Sequence, residues 1–254
     1  MSLLLTFRSE LFKSKRTASF YLAIIGGLLV PVIFILDVLF DGIRPENKKD
    51  IFNVAFNEGF KNTAFVFFPM FLVLISTLLP QLEFKNNAWK QVLASPQKKL
   101  NVFFAKYLNI HLLIVVFFVA HNIFMFSAIV IIHFVEPSLR ILDHPLDLYT
   151  ILTNNVNTYI AVLAMSAVQF WMGLRFRNFI VPLGIGLSLW FIGTLMVLEH
   201  DWVFEKYFPY SFHIYSVFDK HRQLLPTIQL TSVVCAVVFL FLAFLDFKRR
   251  EHKA

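Results

Sequence analysis

Long apolar runs alternate with short charged segments over almost the whole chain. A helix needs about 20 apolar residues to cross the hydrocarbon core of a bilayer, and six of the runs reach that length. The pattern therefore predicts an all-α integral membrane protein with six transmembrane helices in a single domain over residues 1–254. The predicted spans are residues 20–40, 62–82, 107–135, 150–172, 179–198 and 227–247. The segments between them, including residues 41–61, are predicted to be loops.

The charged residues between the spans are distributed unevenly. An even number of spans places both termini on one side of the membrane, and most of the 23 Lys and Arg residues lie on that side. Most of the 16 Asp and Glu residues lie on the other side. Because cytoplasmic loops carry an excess of Lys and Arg, this distribution predicts that both termini and residues 83–106 face the cytoplasm.

The composition supports a membrane protein and excludes several other classes. The chain is 58% hydrophobic and 15% charged, whereas a soluble domain carries about 25% charged residues. The net charge of +7 comes from basic residues at the segment ends, so it does not indicate a nucleic-acid partner. The single cysteine, Cys235, excludes an internal disulfide framework and a cysteine-based zinc site.

The motifs of common catalytic sites do not occur in the sequence. There is no G-x-x-x-x-G-K-[ST] loop for ATP phosphates, no H-E-x-x-H zinc motif and no G-x-S-x-G nucleophile turn. Asp143, His144 and Asp147 lie close together, but no further spaced ligands accompany them, and a solvated acidic loop explains them better. We therefore expect no catalytic residue, no metal site and no cofactor in this chain.

Residues 83–106 combine a predicted amphipathic helix with a basic segment. One side of the helix is apolar and the other is polar, and a proline that ends the helix is followed by a pair of lysines. On the inner face of the membrane such a helix could bind either the lipid surface or a soluble subunit. The residues of interest are Glu83, Trp89, Lys90, Val92, Leu93, Pro96 and Lys98.

The segment before the first span also has a helical pattern. Phe7 and Leu11 fall on one side, whereas Glu10 and Lys13 fall on the other. This spacing predicts an amphipathic helix that lies in the membrane interface. The alternative is a charged flank that only sets the topology.

Polar residues within spans are costly to bury, so they are candidates for function. The third span carries His121 beside Asn122, and the fourth carries Gln169. One hypothesis is that they line a pathway or relay protons. The alternative, which the sequence favours, is that they make interhelical hydrogen bonds.

The aromatic segment 199–226 also allows two hypotheses. Eight aromatic residues are interleaved with charges, and Pro209 divides the segment. It could form two half-inserted helices that cap the outer end of a pathway, which requires protein or a water-filled cavity to satisfy the backbone. It could equally be a folded loop that lies on the bilayer, since Tyr and Trp favour the interface.

The layout resembles the permease subunits of ABC-2 type exporters. The most specific part is an acidic residue after the second span, followed by an amphipathic helix ending in Leu93-Ala94-Ser95-Pro96 and basic residues up to Lys106. This part is similar to the coupling helix of that family. The N-terminal segment with Glu10 and Lys13 fits as well. Within the family, the small permeases of lantibiotic self-protection and antibiotic export are most similar.

The resemblance implies a division of labour between subunits. A separate ABC ATPase, with its ATP and Mg²⁺, would bind the coupling helix, with Trp89, Val92 and Leu93 as apolar anchors. Lys90 and Lys98 would be charges at the rim of that interface. The permease would pair with a second copy or a sister permease in the bacterial inner membrane. Its sparsely polar spans suggest a hydrophobic or amphipathic substrate such as a peptide, an antibiotic or a lipid-like molecule.

Two other functions remain as alternatives at this point. A membrane anchor or assembly subunit could recruit a cytosolic partner through the same helix without a pathway of its own. An intramembrane enzyme would need two catalytic groups at one depth, and the sequence shows no such pair.

Overall fold

The computed structural model describes residues 2–15, 17–42, 50–85, 97–137, 141, 145–199 and 203–250. These residues are helical apart from turns and short connections. Five helices are long and apolar enough to cross a membrane, and a bent pair of shorter helices makes a sixth candidate. The predicted all-α membrane fold is therefore confirmed.

The described helices are numbered here in chain order. Short 3-10 turns at Val203–Tyr207 and Asp219–Leu224 flank the helical turn Ile214–Val217. The helices are α1 (Leu3–Ser14), α2 (Ala18–Asp41), α3 (Ile51–Asn62), α4 (Phe68–Lys85), α5 (Lys99–Val135), α6 (Leu148–Ala161), α7 (Leu163–Arg175), α8 (Ile180–Glu199), α9 (Ile214–Val217) and α10 (Leu225–Arg250).

Helix α2 packs closely along α5. A Cβ atom on Gly27 would lie 2.8 Å from the backbone nitrogen of His121 and 3.0 Å from the carbonyl oxygen of Phe117. Only a residue without a side chain allows this approach, and close backbone contact is a common way for helices to associate in membranes. Glycine at position 27 therefore positions the first span against the long third one.

The second span begins earlier than the sequence predicted. Residues 51–61 were expected to be loop, but they form α3, with Asp50 accepting a hydrogen bond from the Asn53 amide as its N-cap. The residues of α3 that contact the interior recur at helical spacing, so burial of one apolar face stabilises the helix. A π-helical turn at Thr63–Phe67 then joins α3 to α4. The third span likewise extends beyond its predicted start, to Lys99.

The fourth span is bent rather than straight. Helices α6 and α7 meet at Val162 at an angle of 46°. The Ser232 hydroxyl of α10 donates to the carbonyl of Ala161 at 2.9 Å and accepts from the amide of Ala164 at 3.1 Å. Backbone groups freed by a break inside a membrane need partners from neighbouring helices. Ser232 provides them, so the bend is stabilised by the packing of α10.

The aromatic segment between α8 and α10 folds back into the helix bundle. A Cβ atom on Gly193 would lie 2.8 Å from the carbonyl carbon of Tyr210, although Gly193 is about 9 Å along α8 from its end. Tyr210, Phe212 and Tyr215 are almost completely buried. The described part of the segment is therefore inserted into the helix bundle, and it consists of turns and the short α9 rather than two helices. Its insertion into the membrane at the outer end of a pathway stays a hypothesis.

Helix α1 and the last turns of α10 lie at one end of the bundle. Lys13 of α1 contacts Glu83 near the end of α4. The ring of Phe247, near the end of α10, lies 5.9 Å from that of Phe103, near the start of α5. We call this the terminal end. The other end, where α3 and α6 begin, we call the opposite end.

Candidate functional site

Four charged residues form a closed network at the terminal end. Lys106 donates to Glu10 at 2.9 Å and to Glu83 at 2.8 Å. Lys13 donates to the same two carboxylates at 2.9 Å each. Each carboxylate thus lies between two ammonium groups, and each ammonium between two carboxylates. This charge network joins α1, α4 and α5.

The charge network is largely shielded from solvent. The side chain of Lys106 is only 3% exposed, whereas that of Lys13 is 45% exposed. Burial alone lowers the pKa of Lys13, but the carboxylates of Glu10 and Glu83 outweigh this effect and raise the pKa above its ordinary value. A buried charge is costly unless it is paired, and the alternating arrangement meets that condition for Lys106.

Helix α1 turns its polar side towards the bundle. Ser14 donates to the Asn109 side chain at 3.2 Å, and Glu10 is 7% exposed. On its other side, Leu4 and Phe12 are exposed. An interfacial helix would expose apolar residues to lipid on such a side, and the interfacial position of α1 stays a prediction. Phe7 and Leu11 are half-buried.

Residues of the charge network lie on both sides of the predicted coupling helix in the sequence. Glu83 comes directly before that helix, and Lys106 lies in the first turns of α5, which follows it. Lys98, at the N-cap position of α5, is exposed, and its carbonyl oxygen accepts from the amide of Asn101 at 2.8 Å. The other predicted contact residues lie outside the described part of the chain. They are Trp89, Lys90, Val92, Leu93 and Pro96.

Gln169 and His121 both make interhelical hydrogen bonds, the alternative that the sequence favoured. The Gln169 amide donates to Thr77 Oγ1 and to the Pro182 carbonyl at 2.8 Å each, and accepts from Tyr210 Oη at 2.8 Å. His121 Nδ1 lies 3.2 Å from Thr63 Oγ1 in the π-helical turn. These contacts connect neighbouring helices in the buried interior.

Asn122 lies elsewhere, in a cavity at the opposite end. The cavity has a volume of about 210 Å³ and is bounded by α3, α5 and α6. Most of its polar lining consists of carboxamides. The lining residues are Asn53, Val54, Phe56, Asn57, Phe60, Asn122, Asp147, Thr150, Ile151 and Asn154.

Comparison with known protein families gave one match. The sequence profile of a family described as "ABC-2 family transporter protein" matches residues 6–193, well over half of the chain. The chain belongs to the ABC-2 transporter family. Searches of curated proteins and of solved structures gave no match. The match includes the charge network and the cavity, so both are parts of the ABC-2 membrane subunit.

Membership of the ABC-2 family has consequences for the assembly. Membrane subunits of this family are normally not enzymes themselves, associate with an ABC ATPase and typically pair with a second membrane subunit. The helices and the family together make the chain a multi-pass membrane protein. The predicted transporter permease is thereby confirmed at the level of the family.

Sequence reasoning identified all four network residues of this ABC-2 subunit but did not pair them. Glu10 and Lys13 were assigned to one segment, and Glu83 and Lys106 to another. It missed Asn53 and Asn57 in the cavity, because residues 41–61 were read as loop. Their i, i+4 spacing among apolar residues was the available signal, since it places both amides on one side of a helix.

Proposed function

We propose that this chain is the permease subunit of an ATP-driven exporter of a hydrophobic or amphipathic substrate, in the inner membrane of a bacterium. A separate ATPase, with its ATP and Mg²⁺, supplies the energy and binds the segment between α4 and α5. A second copy or a sister permease completes the pathway. The termini and the charge network then face the cytoplasm, as the distribution of Lys and Arg predicts.

The observation that carries this proposal is the charge network. It joins the helices on both sides of the coupling segment, α4 and α5, to each other and to α1. A force applied to that segment would therefore be transmitted to three helices together rather than to one loop. From the network, α4 continues through the π-helical turn into α3, and α5 runs for 37 residues, about 55 Å.

This arrangement suits a rigid-body mechanism. Closure of an ATPase pair would move the terminal ends of α4 and α5 as one unit, and their opposite ends would move with them. Access would change from one membrane face to the other. The bend between α6 and α7 contacts α10 through Ser232. A change in the angle of this bend would allow the remaining helices to follow the movement.

Co-purification from the native membrane tests the role of the coupling segment. The wild-type chain is compared with the double variant Trp89→Asp, Leu93→Asp, which places charge at the predicted apolar anchors. We expect a P-loop ATPase to co-purify with the wild type and to be lost from the variant. The control is Leu100→Asp, because Leu100 is exposed in the first turn of α5 and lies outside the predicted contact residues.

Retention of the ATPase by the double variant would contradict the coupling segment as its binding site. Absence of any ATPase from folded, monodisperse wild-type protein would favour the membrane-anchor alternative.

A further inference from the structure

The cavity at the opposite end contains hydrogen-bonding groups that the fold does not use. The Asn122 side chain makes no hydrogen bond to another described residue, and Asn154 donates to Asn57 only at 3.5 Å. A carboxamide offers one carbonyl acceptor and two N–H donors. All three side chains are half-buried. The cavity therefore has carbonyl oxygens that accept no hydrogen bond from the described residues and are partly shielded from water. A hydrogen bond from a ligand to such an oxygen contributes more to binding than one formed in bulk water.

The charge at this cavity is negative. Asp147 lines it, and hydrogen bonds from the side chain and amide of Thr150 lower the pKa of that carboxyl group. Asp50 accepts from the Asn53 side chain at 3.0 Å. The described lining residues include neither Lys nor Arg. A cationic group is thus favoured over an anionic one.

The size and the walls of the cavity restrict the ligand further. A volume of about 210 Å³ is small beside the 300–1,000 Å³, roughly, of sites for drug-sized ligands. It accommodates one head group or side chain. Phe56, Phe60 and Ile151 form apolar walls that can contact methylene groups. A primary ammonium group has three donors and no acceptor, which complements carboxamide oxygens and a carboxylate.

We propose that this cavity binds the primary ammonium group of an amphipathic molecule, either a lysine-like side chain of a peptide or an aminolipid head group. The proposal rests on the transport function above, because it names a chemical feature of the substrate. Two helical paths, α3–α4 and α5, run between the cavity and the charge network. Asn57 and Glu83 lie on the α3–α4 path, separated by about 39 Å, and Asn122 and Lys106 lie on α5.

Direct binding to the purified full chain tests the site. The chain is placed in nanodiscs of phosphatidylcholine, which has no primary amine, and titrated with hexylamine or with neutral hexanol, with empty nanodiscs subtracted. We expect saturable binding of the amine. Asp147→Asn, which keeps an N-cap acceptor, should weaken amine binding roughly two- to fivefold, because one exposed charge is lost. Hexanol should not respond to that change.

A second variant fills the cavity. Asn122→Leu removes a carbonyl acceptor and adds apolar volume, and it should weaken amine binding at least about tenfold. The matched control is Val119→Leu on the exposed side of the same helix, which should bind as the wild type does. Equal amine affinity in the wild type and Asn122→Leu would overturn the proposal, as would the absence of saturable binding to the wild type.

Competition identifies the source of the ammonium group. Nanodiscs with phosphatidylethanolamine should lower the apparent affinity for hexylamine if a lipid head group is the ligand. A lysine-containing amphipathic peptide should do so if a peptide is the ligand. Failure of both competitors would contradict the assignment. Because these titrations contain no ATPase, their outcome is independent of the co-purification that tests the transport function.

Discussion

The two ends of this ABC-2 subunit use polar residues in opposite ways. At the terminal end, Glu10, Glu83, Lys13 and Lys106 satisfy one another in a closed set of ion pairs. At the opposite end, carboxamides line an open cavity, and the carbonyl oxygens of Asn122 and Asn154 accept no hydrogen bond from the described residues. A satisfied network holds helices together, whereas unsatisfied groups are available to a ligand. This difference supports the two proposals above, that the terminal end transmits motion and that the cavity at the opposite end binds a ligand.

The largest effect is expected from breaking the charge network. Lys106→Met leaves Glu10 and Glu83 close together with only the half-exposed Lys13 between them. Loss of one partner from a buried ion pair costs about 3–5 kcal/mol, so the free energy of unfolding should fall by that amount. The control is Lys98→Met, because Lys98 is exposed at the start of the same helix. Thermal unfolding of both variants in detergent measures the effect. Similar melting temperatures would show that the network does not hold the terminal end together.

The next largest effect concerns the inserted segment beside α8. Gly193→Ala would place a methyl group 2.8 Å from the Tyr210 backbone, and overpacking of this kind costs about 1–3 kcal/mol. Gly184→Ala on the same helix meets no atom within 4 Å. It should be neutral or stabilising, since alanine favours helix. Thermal unfolding of the two variants compares them directly. Equal stability would mean that the segment is not packed against α8.

A smaller effect is expected at the bend of the fourth span. Ser232→Ala removes the hydroxyl that bridges the backbone of Ala161 and Ala164, which should cost about 1–2 kcal/mol. The adjacent Thr231→Ala is the matched control, because among the described residues the Thr231 hydroxyl bonds only to the Thr227 carbonyl of its own helix. Chemical denaturation of both variants measures the difference. If both lose the same stability, the bend does not depend on α10.

The smallest effect is a pH dependence of the charge network. The pKa of Lys13 is raised in the folded protein, so its contribution to stability is complete below the ordinary lysine value of 10.5. That contribution is lost as the pH rises through the folded value. The melting temperature should therefore fall above about pH 10 in the wild type. The fall should be smaller in Lys13→Met, measured across the same pH range. Identical profiles would exclude a role for this ammonium group.

The extent of the second span could have been predicted better than it was. Ile51, Phe52, Ala55 and Phe56 recur at helical spacing, and the structure buries them against α5 and the end of α2. The charges and asparagines of residues 41–61 concealed this pattern, because a hydropathy criterion favours uninterrupted apolar runs. An amphipathic helix continuous with a span is better detected by its period than by its mean hydropathy.

The bend at Val162 and the insertion of Tyr210 could not have been predicted in the same way. Each involves a hydrogen-bond partner distant in sequence, Ser232 at the bend and Gln169 for the tyrosine. Local propensity contains no information about which distant hydroxyl or amide lies nearby. These features follow from the packing of whole helices, which satisfies groups that no local pattern pairs.

The sequence by itself determined that this chain is a helical membrane protein, because twenty-residue apolar runs are stable across a bilayer only as helices. It also contained the features by which residues 83–106 resemble a coupling segment. Only the tertiary structure decided which polar groups satisfy one another and which stay open. Pairing requires the correct geometry between distant helices, and only the folded bundle sets that geometry. The same classes of residue therefore form a closed network at one end and a cavity at the other.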